Sequence, residues 1–341
     1  MVYVHVPFCR SFCTYCDFYS ETVCRDKERE LFERYVDGVC SEALSRRDEI
    51  EASLGLNTLY IGGGTPSVLP LSCIGRIVEA VGCGPFEEFT VEVNPEDIVE
   101  KGLPYVRGLL DMGVNRISMG VQSLDDGILR WMNRRHDSSG ARRAFSILRE
   151  AGVRNVSVDV IFGVSGLEDA VLRSTLDELV AMGPEHISAY QLTVEEGSAL
   201  AEMIAGGRYV EASEDLCRSQ YETICSVLSG AGYGHYEISN WAKPGMESRH
   251  NSAYWRRLPY VGLGPGAHSL RGADYRSWNS QSLHSWTSSG EHLNAAERRE
   301  ETLMLGLRTR EGVNGLCIPE ADWFISDSII ADIVSGSQEP F

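Results

Sequence analysis

With 341 residues, 43% of them hydrophobic, the chain has material for one large α/β domain and a smaller second one. A formal net charge of −18 argues against nucleic-acid binding, which wants a basic face, and against electrostatic attachment to anionic lipid. No apolar run approaches the ~18 residues of a membrane-spanning helix, and the N-terminus opens on a strand without a basic leader, so a cytoplasmic protein is expected.

The first β-branched run, Val2 to Val6, is ended by Pro7, which removes a backbone donor. Residues 26–47 read as a helix, with Leu31, Tyr35, Val39 and Leu44 recurring among charges. A short apolar strand, Thr58 to Ile61, runs into Gly62-Gly63-Gly64-Thr65-Pro66, and residues 70–82 look helical. Phe89 to Asn94 is a third strand, after which Pro95 opens a helix at a position where its missing donor costs little. Arg116 to Gln122 is a fourth strand, followed by helical stretches near 124–133 and 138–151. Asn155 to Phe162 is a fifth, a helix spans about 168–182, and His186 to Thr193 is a sixth. Six strand-then-helix units imply a parallel sheet, too few for a closed eight-stranded barrel. The expected fold is α/β, an open partial (β/α)6 barrel over residues 1–205. A smaller, mostly helical C-terminal region covers 206–341, with helices near 211–230 and 295–309 around a Gly- and aromatic-rich stretch, 232–280. Sites in such sheets lie at the carboxyl ends of strands.

Just past the first strand, Cys9, Cys13 and Cys16 stand in C-x3-C-x2-C spacing on a tight loop. Three soft ligands this close invite zinc or an iron–sulfur cluster. Zinc sites usually pair two halves, and no second half follows; a cubane usually takes four thiolates, so three leave one iron open. Cys24 is a fourth candidate on spacing alone. The remaining cysteines are scattered and read as free thiols in a reducing compartment.

The run His5-Val-Pro-Phe-Cys9-Arg-Ser-Phe-Cys13-Thr-Tyr-Cys16-Asp-Phe-Tyr-Ser20 resembles the radical S-adenosylmethionine (SAM) family. Within it, the run is similar to the oxygen-independent coproporphyrinogen III oxidases and their relatives, the haem chaperones called HemW. Matching motifs continue to about residue 270. The resemblance implies a [4Fe–4S] cluster on Cys9, Cys13 and Cys16, with SAM chelating the open iron and undergoing reductive cleavage to a 5′-deoxyadenosyl radical. It carries SAM contacts onto Gly63, Gly64 and Thr65 of the glycine turn, and onto Glu92, Gln122, Arg134 and Asp159 near successive strand ends. A ribose diol and a carboxylate suit such a set of acidic, amide and arginine partners. Tyr3 and Tyr15 either pack over the cluster or touch SAM, and Gln191 is an adenine-side candidate.

Two departures favour the chaperones over the oxidases. The oxidase motif continues C-x3-C-x2-C-x-C, whereas here Phe18 takes the last position, and the N-terminal substrate arm of the oxidases has no counterpart. In addition, His250-Asn-Ser-Ala-Tyr254-Trp255 resembles the haem-binding H-N-x-x-Y-W motif of HemW, making His250 the expected axial ligand; His268 in G-L-G-P-G-A-H-S is either a second imidazole near the porphyrin or structural. The run Gly163-Val-Ser-Gly-Leu167 departs from the usual G-L-P-G-Q. The resemblance thus implies a haem chaperone binding a cluster, SAM and haem and delivering haem to apo-haemoproteins, those of the respiratory chain among them. A transient membrane visit and a homodimer are compatible with it. The alternatives are oxidative decarboxylation of coproporphyrinogen III, another radical SAM reaction, and a plain zinc protein.

Overall fold

The computed structural model describes residues 1–23 and 27–336; Cys24 lies outside the described residues. The strands, in chain order, are β1 (Val2–Val6), β2 (Phe8–Cys9), β3 (Glu21–Thr22), β4 (Thr58–Gly63), β5 (Glu88–Val93), β6 (Arg116–Gln122), β7 (Val156–Phe162) and β8 (His186–Gln191). After these come β9 (Gly234–Glu237), β10 (Asn240–Ala242), β11 (Val261–Leu263), β12 (His268–Arg271), β13 (Tyr275–Asn279) and β14 (Ser288–His292). Six strands, β1-β4-β5-β6-β7-β8, lie side by side and parallel, the arc expected from the sequence. Their near-continuous apolar runs follow from burial on both faces: Val2, Val4, Leu59, Ile61, Val91, Ile117, Met119, Val158, Val160 and Ile187 are all fully buried. Helices Leu71–Val81 and Ser138–Ala151 cover the outside with one apolar face each. Left-handed Gly82 and Gly152 then end those helices.

The C-terminal residues do not form a separate layer. β11 pairs parallel with β1 at one edge of the sheet, while β10 and β9 add antiparallel to β8 at the other, making nine strands. A sheet boundary at residue 205 is therefore absent; both exposed edges of the six-stranded arc are covered by chain that follows it. A second, antiparallel sheet, β12-β13-β14, stands beside β11. Short helices at Ala199–Ala205 and Arg249–Trp255, which sequence periodicity cannot resolve at such length, complete this region along with helix Ser326–Gly336.

The cysteine loop is anchored from below. Phe8 is fully buried, with its ring 4.9 Å from Phe32 and 5.2 Å from Tyr35. Burying one such ring is worth roughly 1.5–3 kcal/mol, which fixes the chain one residue before the first thiol. Tyr35 in turn donates to the carbonyl of His5 at 2.7 Å.

Candidate functional site

The carboxyl ends of the parallel strands open into a cavity of about 980 Å³, at the upper end of the range for ligand sites. Cys9, Cys13 and Cys16 all line it, as do Tyr15, Gly63, Gly64, Thr65, Glu92, Gln122, Arg134, Asp159 and Gln191. The structure thus brings together every residue expected to hold the cluster or SAM except Tyr3, while His250 and His268 do not line the cavity and Cys24 lies outside the described residues.

The cysteine loop is stitched to its surroundings by backbone bonds. Glu21 N–H donates to Pro7 O at 2.7 Å and Val23 N–H to Cys9 O at 3.2 Å, closing the loop upon itself. Thr14 donates from its amide to Met132 O and from its hydroxyl to Trp131 O, while Asn133 Nδ2 donates to Phe12 O at 2.7 Å. The glycine turn meets the same loop: Gly64 N–H donates to Val6 O at 2.8 Å and Thr65 N–H to Phe8 O at 2.7 Å. Thr65 Oγ1 lies 3.5 Å from Cys9 Sγ. A Cβ on Gly64 would stand 2.7 Å from Phe8 O and 3.1 Å from Cys9 Sγ, so only glycine permits this approach. Burial raises the Cys9 thiol pKa and pushes that of Cys16 up to about 11, the latter also through the neighbouring Cys13 and Cys9 thiols.

Around the thiols stand polar groups with spare hydrogen-bonding capacity. Glu92 accepts from Tyr60 Oη at 2.7 Å and from Gly63 N–H at 3.0 Å. Burial pushes its pKa up to about 7, with the charge of Asp159 adding to the effect. Burial likewise pushes Asp159 up to about 6, against hydrogen bonds from Ser188 and Ser118. Gln122 sits at φ +65°, beyond an irregularity in the β6–β7 pairing, and its buried Oε1 has no partner. Arg134 donates to Gly120 O at 2.7 Å and contacts Cys13 Sγ at 3.4 Å, leaving a buried Nε free. Arg116, only 1% exposed, lines the cavity with Nε and Nη1 unpartnered. Buried polar atoms without partners are costly, and this group lines one cavity beside three thiols. Among the described residues no three His, Cys, Asp or Glu side chains stand close enough to hold a single metal ion; by chemistry, three thiols on one cavity suit an iron–sulfur cluster, and the polar groups beside them suit a zwitterionic ligand such as SAM.

Two of the expected site residues lie elsewhere. His250 does not line the cavity. Its helix, Arg249–Trp255, closes the other end of the barrel, where the first residues of β4 and β5 meet it: His250 N–H donates to Glu88 Oε1 at 3.0 Å and His250 Nδ1 bonds Thr58 Oγ1 at 2.8 Å. Its Nε2 is taken by Tyr254 Oη at 3.1 Å, the residue is fully buried, and burial drags its pKa down to about 3. As folded, His250 has no nitrogen to give to haem iron. Tyr3 does not line the cavity either; its hydroxyl bonds His5 Nδ1 at 2.9 Å, its ring stands 6.1 Å from that of Tyr60, and it lines a separate groove.

The sequence reading missed other lining residues. Arg116, Ser118 and Ser188 belong to strands, and their inward direction follows from alternation along β6 and β8. Arg308, Trp323, Phe324 and Ser326 come from the C-terminal segment and also line the cavity, a placement no local pattern encodes.

Thiols spaced C-x3-C-x2-C at the mouth of a parallel six-stranded arc, clamped by a glycine-rich turn, define a radical SAM protein. Residues 3–179 match the family model described as the Radical SAM superfamily. A solved coproporphyrinogen III oxidase (HemN) from Escherichia coli, described as a radical SAM enzyme, shares the fold with a TM-score of 0.74 and 21% identity, over 90% of this chain and 75% of that one. Within the superfamily the chain belongs to the HemW family of haem chaperones. It is 34% identical to Heme chaperone HemW of Synechocystis, over 98% of this chain and 84% of that protein, and 33% identical to that of Lactococcus lactis, over 91% and 82%. Radical S-adenosyl methionine domain-containing protein 1, mitochondrial, of Danio rerio is 32% identical over 92% of this chain and 73% of its own length. Among the described residues no helix is long and apolar enough to cross a membrane.

Proposed function

We propose that this protein is a haem chaperone of the radical SAM type, holding a [4Fe–4S] cluster on Cys9, Cys13 and Cys16 and SAM across the barrel mouth, and passing haem to apo-haemoproteins, those of the respiratory chain included. The observation that carries the reading is the 34% identity to a protein named Heme chaperone HemW, sustained over 98% of the chain. The thiol cavity and its unpartnered polar atoms support the cluster and SAM; the cytoplasm suits the free thiols of all nine described cysteines. When bound, the reduced cluster supplies one electron to the SAM sulfonium. The residues of the chain do the rest. Gly63 and Gly64 let backbone come close, Glu92 and Asp159 offer carboxylates, Gln122 and Arg134 offer an amide oxygen and a guanidinium N–H, and Tyr15 shields the loop.

The test is anaerobic reconstitution followed by iron and sulfide analysis, haem titration, and transfer of bound haem to an apo-haemoprotein. Stoichiometric haem uptake and transfer without decarboxylation of coproporphyrinogen III supports the reading. Porphyrinogen decarboxylation without haem uptake replaces it with the oxidase activity.

A further inference from the structure

We propose that Arg116 is a positioning residue for SAM: its guanidinium, sealed at the foot of the ligand cavity, is the fixed counter-charge that holds Glu92 and Asp159 as paired anions facing the ligand. The proposal rests on the SAM-binding reading above and adds a residue that acts through these two carboxylates. Arg116 is among the largest fully buried side chains of the chain, and its Nε and Nη1 have no hydrogen-bond partner. A buried charge left so incompletely satisfied costs stability in the empty fold, which calls for a reason beyond packing.

Register explains the placement. Arg116 opens β6 and shares its inward face with Ser118, so it enters the cavity from the end opposite the thiols. It stands opposite Thr90, and Ser118 stands opposite Glu92, which sets the arginine two residues below the first carboxylate. Asp159 flanks it from β7, opposite Gly120 and, on the other side, Ser188 of β8. Both carboxylates take their hydrogen bonds elsewhere, Glu92 from Tyr60 and Gly63, Asp159 from Ser188 and Ser118. Arg116 acts on them through its field. Burial raises the two pKa values to about 7 and about 6, and the arginine charge opposes that rise in both.

The other ionisable groups around it do not supply this charge. Burial drives up the hydroxyls of Tyr60 on β4, Tyr190 on β8 and Tyr236 on β9. It drives down His186 on β8 and His250 on helix Arg249–Trp255, with the Arg116 charge adding to the effect, so all five side chains stand neutral at about pH 7. Glu88, at the foot of β5, is taken up by the Arg249 and His250 amides. Arg134 adds a second positive charge, felt by Asp159. A guanidinium keeps its proton in such surroundings, where a buried lysine or histidine sheds it. The sulfonium and ammonium of SAM then meet anions instead of carboxylic acids.

The experiment titrates SAM into the anaerobically reconstituted protein by calorimetry, from about pH 6 to about pH 9, in wild type, Arg116→Met, Arg116→Gln and Arg116→Lys. Replacing a buried charge by a neutral side chain of similar size is often neutral or stabilising, so the Met and Gln variants are expected to fold with a Tm at or above that of wild type and to keep their iron. In both, the midpoint of the SAM profile rises by about one pH unit, affinity at about pH 7 falls roughly fivefold, and the wild-type plateau returns above the new midpoint. Arg116→Lys moves the midpoint by less. Infrared difference spectra recorded without SAM, with the Glu92 band identified through Glu92→Gln, show the same shift in the carboxylic-acid stretch. An affinity loss equal at every pH, an unmoved midpoint, or neutral variants that fail to fold overturns the role of Arg116 and leaves the SAM site standing. Failure of reconstituted wild type to bind SAM overturns the site as well.

Discussion

With Glu92 as the proposed SAM contact, the structure dictates the direction in which SAM binding depends on pH. Its pKa, raised from 4.5 to about 7, reflects burial first and Asp159 second, opposed by the Tyr60 hydroxyl and Gly63 amide. At ~1.4 kcal/mol per unit the buried anion costs the fold about 3 kcal/mol. In the ligand-free fold Glu92 holds its proton when the unfolded chain has lost it. The stabilisation is full below the unfolded value and drains away as pH rises from about 4.5 to about 7. A cationic SAM ammonium beside Glu92 needs the anion and reverses this preference. One unit below pKa about 7 only about a tenth of Glu92 is ionised, so SAM affinity at about pH 6 falls roughly tenfold below its plateau above about pH 8. In Glu92→Gln the profile flattens, and loss of a charged hydrogen bond of ~1.5–3 kcal/mol weakens the plateau by about 10–100-fold. Isothermal titration of SAM into reconstituted protein at three pH values measures both. Equal wild-type affinity across that range, or a Gln variant matching wild type at high pH, refutes the reasoning.

Tyr60→Phe removes the shortest hydrogen bond to that carboxylate, so Glu92 titrates about one unit higher and the midpoint of the SAM profile moves up with it; an unmoved midpoint counts against the assignment. Gly64→Ala drives a Cβ against Phe8 O and Cys9 Sγ, and iron retained after reconstitution should drop severalfold; wild-type iron content would show that the turn yields. His250→Ala strands the Thr58 and Tyr254 hydroxyls at the barrel floor, costing about 2–4 kcal/mol and lowering Tm on the order of 3–6 °C in calorimetry. An unchanged Tm would mean that His250 is not a structural brace.

The class of this protein was written locally. Strand periodicity, the proline after β1, the cysteine spacing and the glycine turn are each short-range signals, and each marks a place where backbone geometry or thiol chemistry leaves few alternatives. They place the cluster loop, the parallel arc and the polar strand-end residues of the cavity, because in a parallel sheet a strand's carboxyl end is where its site residue must stand. Tertiary structure decided what depends on which end of the barrel a segment reaches. His250 reads like a ligand in sequence, yet its helix docks on the first residues of β4 and β5, where Thr58 and Tyr254 consume both nitrogens. His268, at the start of β12, emerges at the surface with both nitrogens free because the chain passes β11, the edge strand beside β1, before it turns into the second sheet. Spacing along the chain cannot distinguish these two imidazoles; the direction in which the fold turns between them does.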